Sequence, residues 1–223
     1  MGQRRCATTL EPEMTEAELA GLQGWLAEFG LQGNHLEIGT AAGGTLCFMM
    51  NCYGESDCPR FSVVDRMTYF EDQRRIVDRN LADHGIEAER VEFNTMTSAA
   101  AFKIAEARGD TFDFILIDAA HKIRHVMADL RWMGRLNVGG IACFHDYAPR
   151  FSGVLWPIDR FLKRNPQFSR VGQAGTLLCI RRDAKGTGRE VTVVDRLWSM
   201  AWSPILQLRQ SLRKRLNRGA LGS

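Results

Sequence analysis

The sequence predicts an α/β fold: a doubly wound, mostly parallel sheet with helices on both faces and a C-terminal antiparallel strand pair. Three observations predict it. Short apolar runs alternate with segments of helical periodicity along most of the chain. Four of those runs end on acidic or imidazole residues, at Glu37, Asp65, Asp118 and His145-Asp146. The 223 residues are enough for one such domain with a sizeable core.

The elements follow in order. Leu19, Leu22, Trp25, Leu26 and Phe29 give helical spacing over Pro12 to Phe29, closed by Gly30. Leu36 to Ile38 reads as the first strand and Thr45 to Tyr53 as its helix. Phe61 to Val64 is the second strand, and Phe70 to His84 a helix ended by Gly85. Val91 to Phe93 is the third strand, followed by a helix over Ser98 to Arg108. Phe112 to Ile117 is the fourth strand, followed by a helix over Ile123 to Leu136 that stops near Asn137 and Gly139-Gly140. Ile141 to Phe144 is the fifth strand, and Gly153 to Arg164 its helix. Phe168 to Val171 and Thr176 to Ile180 form the antiparallel pair. In such a sheet, ligands bind beyond the carboxyl ends of the strands. The four acidic or imidazole termini therefore converge on one edge.

Composition narrows the function classes. No apolar run is long enough to span a bilayer, and the N-terminus lacks the apolar segment of a secretory signal. The expected location is cytoplasmic, with the inner face of the membrane as the alternative. Six cysteines occur without a C-x-x-C pair, so they read as small hydrophobes in a reducing compartment. The net charge of +3 is uneven: residues 189–223 carry +5, which leaves −2 for the rest. Residues 1–183 read as the catalytic domain with its N-terminal helix. Residues 184–223 read as a basic amphipathic helical tail.

The segment His35-Leu-Glu-Ile-Gly-Thr-Ala-Ala-Gly-Gly-Thr45 is a strand, a glycine-rich turn and a helix start. Such a turn lets backbone approach a nucleotide-like ligand. It lacks the G-x-G-x-x-G spacing of dinucleotide sites. Glu37, two residues before the first glycine, would repel a pyrophosphate and attract an ammonium or sulfonium, which points to S-adenosylmethionine. Asp65 ends the second strand, where a carboxylate can accept both ribose hydroxyls. A dehydrogenase would use that position in the same way.

Two further segments are more specific: Phe112-Asp-Phe-Ile-Leu-Ile-Asp118-Ala-Ala-His121 with Asp129-Leu130, and Gly139-Gly140-Ile-Ala-Cys-Phe-His145-Asp146-Tyr147. With the first motif, they resemble class I S-adenosylmethionine-dependent methyltransferases of the small metal-dependent O-methyltransferase group. Within that group the pattern is nearer the antibiotic-sugar and polysaccharide enzymes than the plant phenolic ones. The resemblance covers roughly residues 30–165. Ala119 stands where glycine is usual, and Ile123 where an aromatic is usual. It implies a Rossmann-like fold and a donor site made of Glu37, Gly39, Thr40, Ala41, Gly43, Thr45, Asp65, Thr97 and Asp118, with Thr97 near the adenine.

The chemistry of the residues agrees. An alcohol is a poor nucleophile, and a divalent cation on its oxygen lowers its pKa. Asp118 and Asp146 supply hard anionic ligands, and His145 completes the set. An imidazole there moves the preference from Mg²⁺ towards Mn²⁺ and its neighbours. His121 lies three residues after Asp118, where the catechol-type relatives carry a lysine base. Its ordinary pKa of about 6.5 suits a base at neutral pH. The rival roles are an orienting partner of Asp118 for His121 and a loop hydrogen bond for His145. The expected activity is methyl transfer from S-adenosylmethionine to a hydroxyl of a sugar, oligosaccharide or other polyhydroxylated acceptor, assisted by Mg²⁺ or Mn²⁺. The alternatives are a catechol or phenolic acceptor, a nicotinamide-dependent oxidoreductase, or a non-catalytic nucleoside-binding module.

In the tail, Leu197, Trp198, Ala201, Trp202, Ile205, Leu208, Leu212 and Leu216 recur at helical spacing, with Pro204 as an expected kink. Arg209, Arg213, Lys214, Arg215 and Arg218 crowd its end. Such a helix either packs on the body or a second subunit, or lies on an anionic membrane. Nucleic acid is not an expected partner, because no base-stacking aromatics interleave with the cations.

Overall fold

In the computed structural model of the protein, residues 12–54, 56–186 and 190–219 are described, with side chains to Arg209. Cys6 lies outside the described residues, and the other five cysteines are free thiols.

Seven strands form one sheet in the order β3-β2-β1-β4-β5-β7-β6. They are β1 (His35–Ile38), β2 (Phe61–Asp65), β3 (Val91–Thr95), β4 (Phe112–Ile117), β5 (Leu136–Phe144), β6 (Phe168–Ala174) and β7 (Leu177–Arg182). The first five pair in parallel, and β7 runs antiparallel to both β5 and β6. The chain reverses direction across the sheet between β1 and β4, where open α/β sheets bind ligands. The helices are α1 (Glu16–Phe29), α2 (Gly44–Asn51), α3 (Gln73–Asp83), α4 (Ser98–Arg108), α5 (Ile123–Asp129), α6 (Ser152–Arg164) and α7 (Val193–Gly219).

Strand periodicity divides the core in two. Leu36, Ile38, Ile115, Ile117, Ala142 and Phe144 face one side, packed with Phe102 of α4, Val126 of α5 and Ile158 of α6. Phe61, Val63, Phe114, Leu116, Ile141 and Cys143 face the other, packed with Leu22 of α1, Leu46 of α2 and Val77 of α3. Each central strand is buried on both faces, which explains its nearly continuous apolar run. His35 belongs to this core: its ring nitrogens meet the Gly33 carbonyl at 2.8 Å and the Tyr53 hydroxyl at 2.6 Å. Burial pushes its pKa down to about 4, so it packs as a neutral ring.

Several boundaries differ from the sequence reading, among them three at helices. α1 starts at Glu16, not Pro12, because Thr15 and Glu18 form a reciprocal capping box. α3 starts at Gln73, not Phe70, because Asp72 takes a left-handed conformation at φ 54°. The helix expected to reach Leu136 ends at Asp129 and tightens into a 3₁₀ segment over Leu130–Arg135. Arg182 of β7 donates to the carbonyls of Met133 at 3.2 Å and Leu136 at 2.7 Å, at the end of that segment. Gly139 and Gly140 then lie inside β5 instead of ending a helix. A Cβ on Gly140 would sit 2.7 Å from the Asp113 carbonyl oxygen. The tail forms one helix that runs through Pro204 and packs on α5 and α6. No helix among the described residues is long and apolar enough to cross a membrane.

Candidate active site

The turn after β1 is shaped by backbone. Gly39 (φ +87°), Ala41 (φ +44°) and Gly43 (φ +86°) all take left-handed conformations. At Gly39 a Cβ would come within 2.1 Å of the Asp118 carbonyl oxygen, so only glycine lets β1 and β4 close up at their carboxyl ends. Two side chains of α3 brace the turn from below. Gln73 Nε2 donates to the Ala41 carbonyl at 2.9 Å, and Asn80 Nδ2 donates to the Ala42 carbonyl at 3.1 Å. Asp65 ties the turn to β2: its carboxylate accepts the Thr40 amide at 3.1 Å and the Met67 amide at 2.6 Å. Thr40 and Thr45 are buried beside the turn.

Glu37 points from β1 into this region and is almost wholly buried. Burial drives its pKa up to about 8; the Thr40 hydroxyl pulls the other way, and the charges of Asp118 and Asp65 push it further up. Glu37 Oε2 and Thr40 Oγ1 each lack a well-formed hydrogen bond. A buried carboxylate oxygen without a partner is costly. A cationic ligand at the turn would remove that cost.

The second half of the site forms across β4, β5 and α1. Asp118 follows β4 directly, and His145 and Asp146 follow β5. His145 Nδ1 lies 3.1 Å from Asp118 Oδ1 and 3.8 Å from Asp146 Oδ2. One ligand atom from each of the three lies within 4.8 Å of the others. Asp146 holds a left-handed backbone conformation at φ 58°, which turns its carboxylate inward beside His145. Asp146 Oδ2 also meets His121 Nε2 at 2.7 Å. The sequence offers His121 as a base or as an orienting partner of Asp118; the carboxylate it meets directly is that of Asp146. Gly153 at the start of α6 seats the His121 backbone: a Cβ there would lie 2.2 Å from the His121 carbonyl oxygen. Phe151 packs on the His121 ring at a centroid distance of 5.1 Å.

Glu18 of α1 is the residue that sequence reasoning missed. It is buried, and its Oε2 lies 3.6 Å from His145 Nε2. The same oxygen accepts the Thr15 amide at 2.9 Å, and Oε1 accepts the Thr176 amide and hydroxyl, both at 2.7 Å. The Thr15-x-x-Glu18 capping pattern marks a helix start in the sequence, but nothing there marks the reach to Thr176 or His145. Burial alone would raise the Glu18 pKa; the hydrogen bonds from Thr15 and Thr176 outweigh it and hold the carboxyl at about 2. Burial alone would lower the His145 pKa; the hydrogen bond to Asp118 and the charges of Asp118, Asp146 and Glu18 lift it to about 9. The Asp146 bond raises His121. Burial works to raise Asp146, but His121 and His145 bring it down.

The three-residue cluster fits a divalent cation. It offers two carboxylates and one imidazole nitrogen, the donor types of Mn²⁺-class sites. His145 turns Nδ1 towards both carboxylates and leaves Nε2 facing Glu18. A histidine ligand commonly gives its other ring nitrogen to a carboxylate in this way.

Thr97 follows β3, whose Thr95 pairs with Asp65 of β2. It caps α4, its hydroxyl accepting from the Ala100 amide at 3.3 Å, beyond the carboxyl end of β3. The structure therefore gathers Glu37, Gly39, Thr40, Ala41, Gly43, Thr45 and Asp65 at one turn. It gathers Asp118, His121, His145 and Asp146 at an adjoining cluster. Gly39 and Asp118 touch where the two meet.

Comparison with known proteins agrees with this architecture. An O-methyltransferase from Bacillus cereus, solved with S-adenosylhomocysteine, superposes with a TM-score of 0.61 at 19% identity; the match covers 76% of this chain and 82% of that one. TomG from Streptomyces achromogenes, an O-methyltransferase of tomaymycin synthesis solved with S-adenosylmethionine, gives 0.61 at 14% identity, covering 77% and 82%. CalS11, a TDP-rhamnose 3'-O-methyltransferase of calicheamicin biosynthesis, gives 0.56 at 15% identity, covering 74% and 78%. At these identities the likeness speaks to the fold. No curated protein matches the chain. A family profile described as a methyltransferase domain matches residues 36–147, half of the chain, from β1 through Tyr147. The chain belongs to this methyltransferase-domain family.

Proposed function

We propose that the protein is an S-adenosylmethionine-dependent, divalent-metal-assisted O-methyltransferase acting on a hydroxyl of a sugar or other polyhydroxylated acceptor. The observation that carries this reading is the contact of the two half-sites. A buried, underpartnered Glu37 lies on one side, and Asp118, His145 and Asp146 lie on the other, joined where Gly39 meets Asp118. Family membership accounts for methyl transfer and favours it over a nicotinamide-dependent reaction.

The residues divide the work. Glu37 and the turn from Gly39 to Thr45 hold the cationic methionine end of the donor, and Asp65 and Asp118 flank it. When bound, the sulfonium donor supplies an activated methyl group and leaves as a neutral thioether, while a cation at the cluster lowers the pKa of the acceptor hydroxyl. Asp118, Asp146 and His145 Nδ1 hold that cation, and Glu18 keeps His145 turned towards it. His121 donates Nε2–H to Asp146, which leaves Nδ1 to take the hydroxyl proton once the ring is neutral. Position and orientation of donor and acceptor supply the remainder.

The sugar reading is supported by the polar acceptor side, with His121 and Asp146 in reach, and by the activity of CalS11 on a TDP-sugar. The test is a screen of hydroxylated acceptors with radiolabelled donor, with Mn²⁺, with Mg²⁺ and with EDTA. Turnover on a glycosidic hydroxyl that EDTA abolishes and Mn²⁺ restores is the expected result. Full turnover after exhaustive chelation would sink the metal assignment. Turnover confined to catechols would sink the sugar assignment.

A further inference from the structure

The described part of α7 has two unlike faces. Asp195, Ser199, Ser203 and Leu206 are buried against the body. Asp195 accepts hydrogen bonds from Arg160 Nε at 2.9 Å and pairs with Arg164 Nε at 3.1 Å, and Trp202 meets Trp156 edge-on at 5.3 Å. The other face carries Val193, Val194, Leu197, Met200, Ile205 and Leu208, each between 47% and 69% exposed. Val193, Leu197 and Met200 follow at four- and three-residue steps, and Ile205 and Leu208 at three, so with Val194 they share one broad side of the helix. The remaining exposed large apolar residues among those described, Tyr69, Ile104 and Val138, come from separate elements. A contiguous exposed stripe marks an interaction surface in a way that scattered residues do not.

Charge selects the occupant. From Arg196 to the end of the chain there are six cations, Arg196, Arg209, Arg213, Lys214, Arg215 and Arg218, and no acidic residue. A second copy docked through the same face would cover the stripe, but its helix brings no acidic residue after Asp195 to neutralise the six cations. Nucleic acid would satisfy the cations but leave the apolar stripe in water. An anionic lipid surface satisfies both, taking the stripe at the acyl boundary and the cations among the headgroups. The geometry points to α7 as an interfacial helix that seats the enzyme on an anionic phospholipid surface. It lies on the bilayer and does not cross it, because no described helix is long and apolar enough to span. This placement is independent of which acceptor the site methylates.

The experiment is co-sedimentation of the full chain with vesicles of phosphatidylcholine alone and of equimolar phosphatidylcholine and phosphatidylglycerol. Binding to the anionic vesicles is expected, with little to the neutral ones and progressive loss as NaCl rises. Leu197→Glu with Leu208→Glu should abolish binding while leaving the thermal unfolding curve unchanged. Arg213→Gln, Lys214→Gln and Arg215→Gln should each weaken binding about fivefold and together about a hundredfold, as expected for cations near an anionic surface. Three outcomes overturn the proposal. One is failure to bind anionic vesicles. Another is a lipid-free dimer in sedimentation velocity that Leu197→Glu dissociates, which would make a second copy the occupant. The third is binding to duplex DNA or RNA that the two leucine variants leave intact.

Discussion

The two halves of the candidate site are built in opposite ways. The donor half is local: Glu37 to Thr45 make a strand end, a turn and a helix start, braced by Gln73 and Asn80 from α3. The metal and acceptor half is assembled from distant chain: Glu18, Asp118, His121, His145 and Asp146, with Thr176 closing it from 158 positions beyond Glu18. In the first half the backbone sets the shape, and one buried acid awaits a positive charge. In the second, acids and imidazoles already satisfy one another. The donor half should therefore respond to ligand charge, and the other half to loss of any partner.

His121 offers the largest expected effect. If it is the base, His121→Ala lowers turnover by about a hundredfold to ten-thousandfold at every metal concentration, with donor affinity nearly unchanged. If it only holds Asp146, the variant loses metal affinity instead and recovers at high metal. Turnover across a Mn²⁺ titration, with donor and acceptor saturating, separates the two. In the first case wild-type turnover also rises with pH as the His121 ring loses its proton.

Asp65 tests the local half. Asp65→Ala should weaken S-adenosylhomocysteine binding by about 1.5–3 kcal/mol, the range for hydrogen bonds to a charged group. Both oxygens now accept backbone amides, so some of that loss would come through a looser turn. Unchanged affinity in calorimetry would remove Asp65 from the donor site.

Glu18 tests the distributed half. Glu18→Gln keeps one acceptor oxygen, for Thr15 or for Thr176, and removes the charge facing His145 Nε2. Mn²⁺ affinity, followed by the paramagnetic signal of the free ion, should fall about tenfold to a hundredfold, as for other outer partners of metal-binding histidines. Equal Mn²⁺ affinity in variant and wild type would leave Glu18 as a brace between α1 and the β6–β7 turn.

The same division governs what the sequence disclosed. The succession of strands and helices, the glycine turn and the strand-end acids were legible because period-two burial and positive-φ glycines leave local marks at Leu36, Ile38, Gly39 and Gly43. Asp118, His145 and Asp146 were legible as strand termini, although their mutual distances were not. Glu18 was not legible as a site residue. Its capping pattern signals only a helix start, and its bond to Thr176 depends on how α1 lies against the antiparallel pair. The 3₁₀ segment after α5 was hidden as well: its end is held by Arg182, far along the chain, which donates to the Met133 and Leu136 carbonyls. His121 was legible by its offset from Asp118, but its contact with Asp146 was not, because the left-handed turn at Asp146 is a feature of backbone.

Glu37 offers the smallest effect and the sharpest test of the contrast. Its pKa in the folded protein is about 8, against an ordinary 4.5. Below the ordinary value it is neutral in both folded and unfolded chains. As pH rises from there towards 8, only the unfolded chain ionises, so folding loses about 1.4 kcal/mol per pH unit from this group. A donor cation at the turn favours ionised Glu37 and lowers its pKa. Donor binding near neutral pH should therefore release up to one proton from Glu37. Affinity should rise with pH and level off above about 8. Calorimetry of S-adenosylmethionine binding in buffers of different ionisation enthalpy reads the proton directly. Glu37→Gln should bind more weakly, with a heat that no longer depends on buffer and an affinity that no longer follows pH in this range. Buffer-independent heat in the wild-type protein would mean that Glu37 stays neutral with donor bound. The turn would then recognise its ligand through backbone alone, and the charge contrast between the two halves would fail.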